Sequence, residues 1–527
     1  MKQAPKLFHR DCGLLLHPTS LPNDYGAGDF GPCAHDWIHF LADHGQNLWQ
    51  ILPLNPAGYG DSPYQGLSAF AANPIFLSPE YLHQLGLIDN DFLDSLRIPC
   101  GRTVEYQAVY ENKHKLSVCA ALAFVKLKPG DPLRVQYEAF LDVESYWLED
   151  FAVYSALKSR FGGKAWAEWP LLYRDRDAFS LSTARRELAK EIERAKLEQF
   201  LLYRQWEDIR ETAQKRGIRI IGDLPIFIAH DSVDVWRQPN LFRLNRDGSP
   251  AVMAGVPPDY FCKTGQLWGN PLYDWDQHRA EDFAWWRKRF SKVLSWVDIV
   301  RIDHFRGFEA FWEIPGSAKT AIDGAWVKAP GEEVLEAFVR DIGLPLPVIA
   351  EDLGVITSEV TALRDRFFLP GIRVEQFAFG TDPMKSTFLP EAYDENCVAY
   401  TGTHDNDTVA GWFHSQSGNG STRSADEIEA ERVNAMHYFG TDGSKIHQDF
   451  IRRLYESNCA AAIVPVQDLI GLGSEARMNT PGQASGSWRW RLDSIEPLGT
   501  AMAELSELTI STKRGLHVSL HESVTTK

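Results

Sequence analysis

VRIDHFRGFEAFWEI, residues 300–314, continues an apolar run that begins at Val297 and ends in charge. Side chains alternate across a strand, so Arg301 and Asp303 project to one side. An arginine two residues before an aspartate can hold that carboxylate ionised and fix its direction. Two later stretches repeat the design, an apolar run closed by acid or histidine: PVIAEDLG (347–354), with Glu351 and Asp352, and VAYTGTHDND (398–407), with His404, Asp405 and Asp407. Three such strand ends suggest one pocket.

Outward from these, short apolar runs recur, each closed by turn or polar residues. Candidate strands lie at 13–18, 47–54, 218–225, 297–305, 347–354, 372–379, 397–405 and 461–468. Helical stretches such as GEEVLEAFVRDIG (331–343) and TSEVTALRDRFF (357–368) separate most of them. Eight strands alternating with helices predict an α/β fold, a (β/α)8 TIM barrel whose polar strand ends gather at the C-terminal face. The uneven spacing locates insertions in a single catalytic domain spanning 1–527. One, at about 79–216, reads as mainly helical, and the other, at 226–296, carries the Gly-, Pro- and aromatic-rich AGVPPDYFCKTGQLWGNPLYDW (254–275), a candidate cleft cover.

The chain has 527 residues, 44% hydrophobic and 24% charged, as a soluble globular protein has. A net charge of −17 disfavours nucleic acid and anionic membranes, which need basic patches. Seven scattered cysteines fit neither a disulfide framework nor a zinc site. No long apolar core opens the chain and no run is long enough to span a membrane, so a cytoplasmic setting is expected. The 17 tryptophans offer flat faces for sugars as well as core filling.

Retaining cleavage of a glycosidic bond needs two carboxyl groups flanking the anomeric carbon, one as nucleophile, the other as acid and then base. Asp303 beside Arg301 suits the first role. Glu351, ending an apolar strand, suits the second, which needs a raised pKa. His404 and Asp405 can then bind ring hydroxyls. Each feature also has a structural alternative: an Arg301–Asp303 ion pair, Glu351 and Asp352 capping a helix, and THDND as a turn. The His and Asp pairs at 303–304 and 404–407 leave a metal site as a rival, although no multi-histidine spacing accompanies them. No phosphate-binding glycine loop occurs.

Six motifs then show a family likeness: GYGDSPYQGLSAFAANP (58–74), GDLPIFIAHDSVDVW (222–236), VRIDHFRGF, IAEDLG, YTGTHDNDT and RMNTPG…SWRWR (477–491). Running nearly end to end, they resemble the 4-alpha-glucanotransferases, or amylomaltases, in their short form without a large N-terminal extension. The resemblance implies a retaining barrel that needs no cofactor or metal and transfers α-1,4-glucan segments. It implies Asp303 as nucleophile, Glu351 as acid/base and Asp405 as transition-state stabiliser. It places Arg301, His304, His404, Tyr64 and Asp223 around the cleaved sugar. Gln266 and Trp268 fall in a loop over the cleft, Asn479 at a sugar contact, and Tyr59 at a secondary glucan site. The chain departs from the pattern at Glu375, where an apolar residue is usual. A retaining α-amylase-type hydrolase and a catalytically silent glucan-binding protein are the alternatives; oligomeric state is not legible.

Overall fold

All eight apolar runs become parallel strands. The computed structural model describes residues 6–258, 263–380, 385–417, 423–483 and 485–515. Its twelve strands are β1 (Asp11–Leu15), β2 (Leu48–Gln50), β3 (Arg219–Pro225), β4 (Val252–Val256), β5 (Gln266–Pro271) and β6 (Ile299–Asp303), then β7 (Ala310–Pro315), β8 (Ala325–Lys328), β9 (Val348–Ala350), β10 (Gly371–Val374), β11 (Cys397–Tyr400) and β12 (Ala461–Pro465). A closed barrel runs β1-β12-β11-β10-β9-β6-β3-β2.

Strand parity builds the barrel's inside. Leu15, Leu48, Ile221, Ile299, Ile349, Ile372, Val398, Ala461 and Ile463 form one buried cluster, while alternate residues such as Leu14, Val300 and Ala350 pack outward. Gly13 permits a close approach here: a Cβ on it would meet the Leu48 carbonyl oxygen at 2.0 Å. One layer nearer the C-terminal face the inward positions turn polar, at Gln50, Asp223, Arg301 and Glu351. The apolar plug thus sits beneath a charged floor.

The segment between β2 and β3 holds helices, the longest being Pro132–Arg160 and Ala189–Lys215. Asp131 caps the first by accepting the Leu133 N–H, with proline in its opening turn. Lys292, on the helix Ala284–Trp296, reaches Glu144 of the first long helix at 2.6 Å, both ends buried. That ion pair joins the helical segment to the barrel wall.

Two expectations change. The run 372–379 stops being a strand at Val374 and continues as a 3-10 turn, Glu375–Ala378. In that turn Gln376 donates from Nε2 to the Asp407 carbonyl at 2.9 Å. The 226–296 segment is more than loop: β4 and β5 join β7 and β8 in an antiparallel sheet ordered β5-β4-β7-β8. Within FEAFWEI, therefore, the catalytic-face strand gives way to a second strand belonging to a side sheet.

Candidate active site

Arg301 is the hub. It is buried on β6, directly across from Asp223 on β3. Its Nη1 donates to Asp223 Oδ2 at 2.6 Å, and its Nη2 lies 3.0 Å from Asp303 Oδ1. The Tyr64 hydroxyl donates to the same Asp223 oxygen at 2.8 Å. The Asp223 side chain is 0% exposed, so its carboxylate serves Arg301 and Tyr64, while that of Asp303, 30% exposed, opens to the cleft. Below them the Tyr400 hydroxyl donates to Gln50 Oε1 at 2.9 Å, a polar tie across the barrel that no sequence motif signals.

Burial raises the Asp303 carboxyl pKa, Arg301 pulls it down, and Asp223, Glu351 and Asp405 add to the rise. Burial also raises Glu351.

Glu351 directly follows β9, whose register with β6 pairs Ile302 with Ala350. The next residues on each strand, Asp303 and Glu351, are therefore neighbours, and both point inward by parity. Adjacent strands lie about 4.8 Å apart, in keeping with the roughly 5–5.5 Å carboxyl separation of retaining glycosidases. His304 adopts the left-handed conformation, with φ 50° and ψ 49°. Its backbone N–H donates to Glu351 Oε2 at 2.6 Å, while the Leu353 N–H reaches Oε1 at 3.0 Å. A non-glycine residue in this region is strained, and the strain sits beside the held Glu351 carboxyl group. Asp352 has opposite parity: buried outside the barrel, it binds Arg364 at 2.5 Å and the Ile372 N–H at 2.8 Å.

The third acidic loop is held from behind. Asn479 Nδ2 donates to Asp405 Oδ1 at 2.6 Å, and Arg477 Nη2 donates to the Asp405 carbonyl at 2.7 Å. Asp405 keeps 44% of its side chain exposed. The turn alternative also holds locally, since Asn406 Oδ1 accepts from the Thr403 N–H and hydroxyl, each at 2.9 Å. His404 stacks on Tyr64 (5.1 Å between ring centroids, 15° between planes), and both meet Trp488. Trp488 is a member the sequence reading left unassigned; its signal was the SWRWR motif. Burial lowers His404 and takes His304 down to about 3, so both rings are neutral.

Trp268 on β5 packs edge-on against His304 at 4.9 Å and donates from Nε1 to Gln266 Oε1 at 3.1 Å. The side sheet thus borders the charged floor. The Tyr59 side chain lies outside the described residues. Asn479 touches Asp405, which makes it a support for that acid in addition to any sugar contact. Among the described residues, no group of three His, Cys, Asp or Glu side chains is placed to hold a metal ion.

The family profile of glycoside hydrolase 77, described as 4-alpha-glucanotransferase, matches residues 16–496. The chain belongs to the 4-alpha-glucanotransferase family. It is 46% identical to the 4-alpha-glucanotransferase of Thermus thermophilus over 498 residues, covering 93% of this chain and 95% of that one. The chloroplastic/amyloplastic 4-alpha-glucanotransferase of Solanum tuberosum is 39% identical over 509 residues, 95% of this chain and 85% of its own. The solved amylomaltase of Streptococcus agalactiae in complex with acarbose superposes with a TM-score of 0.89 at 37% identity, covering 96% of this chain and all of that one. The amylomaltase of Corynebacterium glutamicum, at 17% identity and a TM-score of 0.79, shares the fold. A 4-alpha-glucanotransferase of this family is an enzyme with a TIM barrel, as the strand pattern implied.

Proposed function

We propose that this 4-alpha-glucanotransferase acts on α-1,4-glucans by retaining, two-step chemistry at Asp303 and Glu351. The adjacency of those two carboxyl groups on neighbouring strands is the observation that carries the reading. The Asp303 carboxylate attacks the anomeric carbon as the bond to the leaving 4-oxygen breaks, and Glu351 gives its proton to that oxygen. The resulting glycosyl ester on Asp303 is then attacked by an acceptor 4-hydroxyl, whose proton returns to Glu351. A new α-1,4 bond forms and Asp303 leaves as the carboxylate.

Arg301 directs Asp303, and Asp223 and Tyr64 hold Arg301 in place. Asp405, fixed at Oδ1 by Asn479, offers Oδ2 to hydroxyls of the distorting sugar. His304 and His404, as neutral rings, donate to or accept from hydroxyls without adding charge. The side-sheet strand β5, carrying Gln266 and Trp268, covers the cleft and limits water, which favours transfer over hydrolysis; Tyr59 contributes to a secondary glucan contact. Binding of acarbose by the Streptococcus agalactiae relative supports an α-glucan substrate. The whole chain works as one catalytic domain with two insertions, and its setting is the cytoplasm; no described helix is long and apolar enough to cross a membrane.

Incubation with maltotriose alone tests the reading. Glucose together with maltodextrins longer than three units is expected, and Asp303→Asn should abolish both while still binding glucan. An active Asp303→Asn variant, or glucose and maltose as the sole products, would overturn it.

A further inference from the structure

Among the described residues few large aromatic side chains face solvent, and one of them is tied to the strand ends that carry Asp303 and Glu351. Trp326, on β8, is 40% exposed. Arg306, two residues beyond His304, lays its guanidinium 3.7 Å from the Trp326 ring centroid. The same guanidinium donates from Nη1 to the Val355 carbonyl, in the loop that leaves Glu351. Trp312 meets Trp326 edge-on at 5.3 Å. Arg306 is buried, and among the described residues its Nε has no hydrogen-bond partner and no carboxylate pairs with it. An ion pair therefore does not explain its position, whereas clamping Trp326 to the Glu351 loop does. Val355, whose carbonyl that guanidinium holds, is 67% exposed and adds apolar surface beside the clamp.

General acid chemistry fixes what such a surface faces. Glu351 must protonate the departing 4-oxygen and later take the proton of the acceptor 4-hydroxyl, so leaving and acceptor chains both lie on its side of the scissile bond. The loop after Glu351 is where such a chain would run. A flat indole held in one orientation loses little freedom when a sugar's C–H face settles on it, and that preorganisation adds affinity.

We propose that Trp326, clamped by Arg306 to the Val355 loop, is a stacking platform for an acceptor-side glucose unit beyond the one that forms the new bond. This rests on the glucanotransferase reading above and names a residue that selects long acceptors over glucose.

The test compares acceptors. With a fixed maltodextrin donor, kcat/KM is measured for labelled glucose and for labelled maltoheptaose as acceptors. Trp326→Ala should lower the maltoheptaose-to-glucose ratio of kcat/KM about tenfold, the equivalent of about 1.4 kcal/mol. Trp326→Phe, which keeps a flat face, should lose only part of it. If the alanine variant does not fold, Trp326→Leu, apolar but not flat, should show the same fall. An unchanged ratio in the alanine or leucine variant overturns the platform while leaving the proposed function standing. A wild-type enzyme that extends neither acceptor overturns the proposed function itself.

Discussion

Removing the carboxyl of Glu375 should stabilise the protein. The residue opens the 3-10 turn after β10, is 0% exposed, and has no hydrogen-bond partner on either carboxyl oxygen among the described residues. Burial holds its pKa well above the ordinary glutamate value; Glu391 pushes the same way and Arg453 opposes. Two penalties follow. A buried polar group without a partner costs about 1–3 kcal/mol. The second depends on pH. A carboxyl whose folded pKa is raised contributes no penalty below its unfolded value of about 4.3. Above that value the unfolded chain releases a proton that the folded chain keeps. Each further pH unit then destabilises the fold by about 1.4 kcal/mol until the folded group also ionises, or up to about 4 kcal/mol at pH 7 for a group still protonated there. Glu375→Leu removes both penalties, and Glu375→Gln removes only the second. Unfolding midpoints for the three proteins at pH 5, 6, 7 and 8, at one scan rate, read the difference. In a chain this long a kcal/mol moves the midpoint by about 1 °C, so the leucine variant should gain several degrees at pH 7. Its advantage over wild type should widen as pH rises, and the glutamine curve should run parallel to the leucine curve but lower. Wild-type and leucine curves that stay parallel from pH 5 to 8 would refute the claim that this carboxyl is buried protonated.

Four more outcomes are expected. Asn479→Ala should lower kcat roughly 10–100-fold with little change in KM, because it frees an acid that acts in the transition state; steady-state kinetics with maltotriose separate the two parameters. The acidic limb of the kcat/KM profile should lie above the ordinary aspartate range, since burial raises both Asp303 and Glu351, and activity should fall again as alkali takes the proton from Glu351. Lys292→Met should destabilise by about 3–5 kcal/mol by leaving Glu144 charged and buried, and adding Glu144→Leu should recover most of the loss in thermal unfolding. Gly13→Ala should prevent a soluble product or sharply lower the unfolding midpoint, since its Cβ would collide with the Leu48 carbonyl.

The barrel was legible because parallel strands buried on both faces leave short apolar runs, and all eight carried that mark. The side sheet was not, because AFWEIP and QLWGNP mix apolar and polar positions beside glycine and proline. Catalytic parity was legible on β6, where Arg301 and Asp303 share a face. After β9 the sequence offered two acids; the reading took Glu351, and the barrel supplies the physical reason, with Glu351 facing in and Asp352 facing out to Arg364. Long-range closures stayed hidden: nothing in RMNTPG says that Asn479 and Arg477 fold back onto Asp405, and nothing in GDLP says that Asp223 is enclosed by Arg301 and Tyr64.

The charge arrangement gains its logic from the proposed two-step chemistry. Before attack the negative charge belongs to Asp303 and the proton to Glu351. Ester formation removes the charge from Asp303, and protonation of the leaving oxygen creates one on Glu351. The pocket's net charge is unchanged; the charge has moved one strand over, from β6 to the end of β9. Arg301 contacts the first position directly at 3.0 Å. The His304 and Leu353 N–H groups already face the second, at 2.6 and 3.0 Å. Backbone donors held in place need no reorganisation when the charge arrives. Loss of either N–H would leave Glu351 one donor short in the intermediate.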